Sequence, residues 1–245
     1  MGEEFELILS DFSSELDALA EMAAVPGRAG PVPQTPRARI AAGNGATLLM
    51  AATFEEFVRQ QVRAAFREKV KRAKSISDFP SKIASTVWRR SLESLAKMSF
   101  ADIESDGRRV GATLEQTQMF CLRKIFTADV AESLSHNESN MRPGQLGALF
   151  NQIGITSIIS KAAKYEPVVE FLGVGSPDKA TGAIETRMEQ FFRRRNDIAH
   201  AISQSTSSGP AELAQDIEFF RFLGEALTAA LVREFTDQPL EAVPA

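Results

Sequence analysis

Apolar residues recur at intervals of three and four along almost the whole chain, and no stretch alternates at the two-residue period of a strand. The first segment sets the pattern, with Phe5, Leu9, Phe12, Leu16 and Leu19 on one stripe between residues 3 and 24. Such spacing puts one side of a helix against a core and leaves the other to solvent. It constrains the fold to packed helices, and the expected class is all-α, a helical bundle.

Breakers and caps divide the pattern. Pro26-Gly27-Arg28-Ala29-Gly30-Pro31-Val32-Pro33 holds too many of them for a regular element. Thr35-Pro36 then offers a cap and a first-turn proline for a second helix to about residue 74, with Gly43-Asn44-Gly45 as a candidate interruption. Further helices are expected near 81–97, 114–132, 142–153 and 157–172. Gly173-Val174-Gly175-Ser176-Pro177-Asp178 breaks the chain again: Ser176 is the natural cap, Pro177 the first helical residue, and Asp178 suits the positive end of the dipole. That helix should end near His200, before the polar run 203–209, and the last helix runs from 210 to about 236. The expected organisation is an N-terminal helix and linker (1–35), one helical domain (36–238) and a disordered tail (239–245).

With 245 residues, 44% of them hydrophobic, the chain has enough apolar side chains for a sizeable core. Its net charge of −4 argues against coating nucleic acid without specificity, though not against meeting RNA at one basic site. Three basic clusters exist: Arg63, Arg67, Lys69, Lys71, Arg72 and Lys74; then Arg89 and Arg90; then Arg193, Arg194 and Arg195. Solvated helix faces account for each unless the fold makes them converge. The one cysteine, Cys121, has no internal partner and reads as a small buried hydrophobe in a reducing cytoplasm. An acidic start, Glu3-Glu4-Phe5-Glu6, does not resemble a signal peptide, and no apolar run reaches membrane-spanning length.

On the helix before His200, Ile184, Met188, Phe191 and Ile198 form one apolar stripe, and Arg195 falls on it. A guanidinium there must reach a rim, pair with an internal carboxylate, or face a cavity that takes an anion. In the second helix Glu55 interrupts the stripe Leu48, Ala51, Val58 and Val62. The two charges mark either a polar site between helices or a structural Arg195–Glu55 salt bridge. His200 stands five residues after Arg195, about 140° around an ideal helix. Histidine moves protons near neutral pH, and an arginine fork holds phosphate and the charge that builds on it.

Other candidates carry less. His136 lies in a polar loop with no neighbouring cysteine or histidine at metal-ligand spacing, so no metal and no cofactor are expected. Gly43-Asn44-Gly45 and Gly173-Val174-Gly175 lack the lysine and strand of a phosphate loop, and Tyr165 and Trp88 read as packing residues.

Arg195-Asn196-Asp197-Ile198-Ala199-His200 resembles the Arg-x4-His signature of the HEPN superfamily of helical ribonucleases and nucleotide-binding domains. The chain is more particularly similar to the prokaryotic RiboL-PSP-HEPN, or MAE-type, branch. Three further passages carry that likeness: Ala51-Ala52-Thr53-Phe54-Glu55-Glu56-Phe57; Asn140-Met141-Arg142-Pro143 with Leu146, Phe150 and Gly154-Ile155; and Ala211-Glu212-Leu213 with Phe219-Phe220. The likeness is placed after about Pro36, with the N-terminal helix as an extra element. It implies a HEPN-type bundle that pairs with a second copy, and metal-independent cleavage of RNA in defence or toxin–antitoxin settings. It also implies roles: Arg195, His200 and Asn196 catalytic, Glu55 supporting, Arg193 and Arg194 binding substrate, with RNA and an antitoxin or defence protein as partners. Many members of the superfamily have lost catalysis and only bind nucleotide or protein, which is the alternative. An unrelated helical adaptor with a chance motif is a third reading.

Overall fold

A computed structural model of the chain describes residues 2–24, 35–126, 130–135, 140–200 and 209–237. The described residues form helices and connecting turns, with no strand among them. In chain order these are α1 (Glu3–Ala24), α2 (Pro36–Arg72), α3 (Ile83–Ala96), α4 (Phe100–Ser105), α5 (Gly107–Cys121) and α6 (Ala131–Ser135). Then come α7 (Pro143–Gln152), α8 (Ile158–Ala162), α9 (Glu166–Phe171), α10 (Pro177–His200) and α11 (Pro210–Thr236). The all-α bundle expected from the periodicity is what forms. No described helix is long and apolar enough to cross a membrane.

The centre of the bundle is α2 with α1, α10 and α11 around it. Its stripe Met50, Phe54, Phe57, Val58, Val62 and Phe66 is buried. From α1, Phe12 stacks on Phe57 at 4.3 Å; from α11, Phe220 meets Phe54 at 4.6 Å and Phe191 of α10 at 4.7 Å. Aromatic pairs at these spacings add orientation to the area they bury. Buried Gln61 of α2 donates to the Phe5 carbonyl and, at 2.9 Å, to Thr228 Oγ1, so one amide ties three helices together. Thus α1 belongs to the same core as α2 and α11.

Two expected caps are in place. Thr35 Oγ1 accepts from the Ala38 N–H at 3.2 Å, and Ser176 Oγ from the Lys179 N–H at 3.4 Å. Three expected boundaries differ. Gly43-Asn44-Gly45 does not interrupt α2: two glycines cost about 2 kcal/mol of helix propensity, less than the burial gained by the continuous helix on either side. The helix expected at 114–132 is instead α5, which begins at Gly107, and α6; between them the chain leaves α5 with Lys124 at φ 57°. The helix expected at 157–172 is split into α8 and α9, because Pro167 has no N–H to donate back and starts a new helix instead.

His136, the linker 26–33, residues 203–208 of the polar run and the tail 239–245 lie outside the described residues. The opposing hairpin of α3 and α5 rests on α6 and leaves Trp88 42% exposed, so this ring is not the packing residue expected. Cys121, by contrast, is buried, and burial pushes its thiol above the usual range, as suits a packed hydrophobe rather than a nucleophile.

Candidate active site

α10 enters the core and leaves it again along its length. Ala180, Ile184, Met188, Phe191 and Phe192 are buried, and none of the residues from Arg193 onward is. The helix therefore presents its last two turns at the surface on a stem held by the bundle. Arg195 is half-buried at the point of emergence, and His200, the last helical residue, is exposed. They stand about 7.5 Å apart along the axis at 1.5 Å per residue, on different sides of the helix.

Arg195 reaches neither Glu55 nor any other carboxylate among the described residues. Its guanidinium donates to Asn196 Oδ1 at 3.3 Å, and its Nε is buried without a protein acceptor. The same Asn196 oxygen accepts from Asn140 Nδ2 at 2.6 Å. With two donors on its oxygen, the Asn196 amide has its N–H₂ end left to offer outward. One residue on, the Met141 N–H donates to Glu55 Oε1 at 3.3 Å, while Glu55 Oε2 holds Arg59 at 3.4 Å.

The direct Arg195–Glu55 salt bridge entertained from sequence is therefore replaced by a relay. Glu55 fixes the 140–141 segment, Asn140 fixes Asn196, and Asn196 fixes Arg195. The physical reason is that a second-helix carboxylate with Arg59 one turn away already has a cation at hand. What remains is a backbone N–H that needs an acceptor, and Glu55 supplies it. Asn140 is the site residue that residue-by-residue reasoning missed; its signal lay only in the Asn140-Met141-Arg142-Pro143 passage.

Arg194 is engaged within the chain. It binds Asp216 of α11 at 2.5 Å and Glu212 at 3.2 Å, and its side chain stays 30% exposed. Asp216 is buried between Arg194 and Arg187, the latter at 3.6 Å. Burial pushes the Asp216 carboxyl above its ordinary range, and the two guanidiniums pull against that shift. Asp216 sits on the apolar stripe Leu213, Ile217 and Phe220, the same kind of misplaced charge that drew attention to Arg195.

Arg193 stays exposed and lines a groove of about 600 Å³ between α10 and the start of α7, with Gly144, Glu189 and Gln190 on its walls. Arg142 at the α7 N-cap is tied to Glu189 across it at 2.9 Å. Of the first basic cluster, Arg63 is held by Glu56 and Arg67 by Glu4, so those charges are largely neutralised locally. Among the described residues, no three His, Cys, Asp or Glu side chains group as a metal-binding set.

The geometry thus joins Arg195, Asn196, Asn140 and Glu55 into one network and leaves His200 and Arg193 beside it without a side-chain partner among the described residues. No curated protein matches the chain, and no solved structure does. The RiboL-PSP-HEPN family model matches residues 10–233, a span that runs from within α1 to near the end of α11 and takes in every element of the network. The chain belongs to the RiboL-PSP-HEPN family of the HEPN superfamily.

Proposed function

We propose that the protein is a metal-independent endoribonuclease that acts as a symmetric pair of chains. The observation that carries this reading is that half-buried Arg195 and exposed His200 both lie on the outer turns of α10, with Arg195 held by Asn196 and Asn196 by Asn140. A guanidinium positioned before substrate arrives stabilises developing charge without further rearrangement.

In the reaction, neutral His200 takes the proton of a ribose 2′-hydroxyl, and the 2′-oxygen attacks the adjacent phosphorus in line. The bond from phosphorus to the 5′-oxygen breaks. Arg195 and the Asn196 amide N–H₂ bind the non-bridging oxygens as charge collects on them. His200 of the partner subunit, in its protonated form, gives a proton to the leaving 5′-oxygen. The products carry a 2′,3′-cyclic phosphate and a 5′-hydroxyl, and no redox or metal step is required. Arg193 guides the strand along the α7–α10 groove. The helical angle between residues 195 and 200 supports a paired site, because one straight α10 puts its two groups on different sides. The setting proposed is prokaryotic defence or a toxin paired with an antitoxin, in the cytoplasm.

Incubating the purified protein with total RNA in EDTA and mapping the ends tests this. Cyclic-phosphate and 5′-hydroxyl ends that vanish in His200→Ala support it; cleavage of DNA, or full activity in His200→Ala, refutes it. The second reading, a catalytically silent module that binds nucleotide or protein, is favoured by that same helical angle if chains do not pair.

A further inference from the structure

Away from the α10 network, a cavity of about 190 Å³ opens between α3, α5 and α6. Arg90 and Arg109 line it from two different helices, with Ser94 and Gln116 beside them and Leu95, Met98 and Val130 as its apolar part. Many arginines that pack in or against the bundle are held by carboxylates: Arg59, Arg63, Arg67, Arg142, Arg187, Arg194 and Arg221 all are. Arg90 and Arg109 form no ion pair with a described residue. The nearest acid on α3, Glu93, is bound instead to Arg89 at 3.0 Å. Arg90 is half-buried on the cavity wall, and burial strips part of its hydration and lowers its pKa.

Half-buried Arg90 and exposed Arg109, on the wall of one hydroxyl- and amide-lined hollow, supply the chemistry of a phosphate site. The one acid on the wall, exposed Glu132, can accept from a ribose hydroxyl or a base amino group but repels a bare anion. That combination suits a nucleotide unit better than a free inorganic ion. The volume is below the ~300–1,000 Å³ of pockets that enclose a whole small molecule, so the cavity fits a backbone segment of a longer chain. Position agrees: Ser133 on its wall is seven residues from Asn140, at most about 25 Å of extended chain.

We propose that the α3–α5–α6 cavity is a second phosphate-binding subsite, which holds the backbone of single-stranded RNA away from the Arg195–His200 pair. This rests on the RNA-cleaving reading above. The subsite supplies affinity and register for long RNA, and it takes no part in chemistry on short RNA.

The test uses the full chain carrying His200→Ala, a labelled 12-nucleotide RNA and fluorescence anisotropy from 50 to 200 mM salt. Each phosphate contact adds about 0.7 to the salt slope for single strands. Arg90→Gln with Arg109→Gln should therefore lower the slope by about 1.4 and weaken binding at low salt about tenfold or more. Ser94→Glu, which places an acid at the mouth, should weaken it too and serves if the double variant does not fold. With His200 restored, cleavage of a dinucleotide should be unchanged. Thermal shift with inorganic pyrophosphate provides the second arm. If neither protein binds RNA but pyrophosphate stabilises the parent and not the variants, the nuclease reading fails and the phosphate site stands. If the variants bind RNA with the parental slope, or if neither ligand distinguishes them from the parent, the subsite is overturned.

Discussion

Replacing Asp216 with alanine probes what holds the reactive end of α10 in place. In the intact protein this buried carboxylate receives Arg194 at 2.5 Å and Arg187 at 3.6 Å, joining α10 to α11 just below Arg195. A hydrogen bond to a charged group contributes about 1.5–3 kcal/mol; Arg194 makes one, and the longer Arg187 ion pair adds less, so the gross loss is a few kcal/mol. Against this stands the relief of a carboxylate that burial disfavours, as its raised pKa records. Both arginines are about 30% exposed and can turn to water, and Arg194 keeps Glu212. The expected net cost is therefore about 2 kcal/mol, below the ~3–5 kcal/mol of a fully enclosed broken pair. For a chain of this size that is a fall in Tm of roughly 4–8 °C, read by circular dichroism with a urea titration alongside.

The pH dependence gives the decisive sign. A carboxyl whose pKa is higher folded than unfolded binds more protons in the native state, so its contribution is full below the unfolded value and is lost as pH rises through the folded one. Asp216→Asn cannot titrate. The stability of the parent minus that of Asp216→Asn should therefore grow as pH falls from 7 toward the ordinary aspartate value of 3.8. If the difference shrinks instead, the two arginines outweigh burial and the account of this site is wrong.

Four further outcomes are expected. His200→Ala should lower RNA cleavage by about 10²–10⁴ while leaving the urea midpoint unchanged, because the side chain is exposed, and EDTA should not affect the parent's rate. Arg195→Lys keeps a charge but loses the fork held by Asn196; a loss in kcat of about 10²–10³ measured on the same RNA checks it, and parental kcat would remove Arg195 from the mechanism. Asn140→Ala should lower kcat more than it raises KM, because it frees Asn196 without touching the proposed substrate; a change in KM alone would make Asn140 a substrate contact. Gly224→Ala places a Cβ 2.8 Å from the Phe12 ring, already stacked on Phe57. The overpacking cost of about 1–3 kcal/mol outweighs the ~1 kcal/mol gained in helix propensity, so the melting point should fall rather than rise.

The helices were legible wherever period and punctuation agreed. Thr35 and Ser176 signalled the starts of α2 and α10, and Ile184, Met188 and Phe191 gave the buried face of α10 before any coordinates. Pro167 was as visible as Pro36, but the apolar spacing around it continues unbroken, and period alone cannot register a missing N–H. At the site, Arg195 and Glu55 were both marked by charge on an apolar stripe. Their partners were not, because a stripe says that a charge needs company and not which residue supplies it. The company turned out to be a backbone N–H at Met141 and the amide of Asn140, contributed by a segment with no helical period to read. Asp216 carried the same mark as Arg195 and was open to the same inference. Arg90 was marked only as half of a basic pair and Arg109 not at all, and only the packing of α3 against α5 puts both on the wall of one hollow.

The division of labour along α10 has an evolutionary consequence. Folding free energy is gathered in the part of the helix up to Phe192, while the groups proposed for chemistry occupy the stretch beyond it. Substitutions at the outer end, Arg194 with its tie to Asp216 excepted, can therefore accumulate with little risk of unfolding. A lineage built on this plan can abandon, retune or recover its reaction while the scaffold endures, so active and inert cousins should share nearly the same melting behaviour.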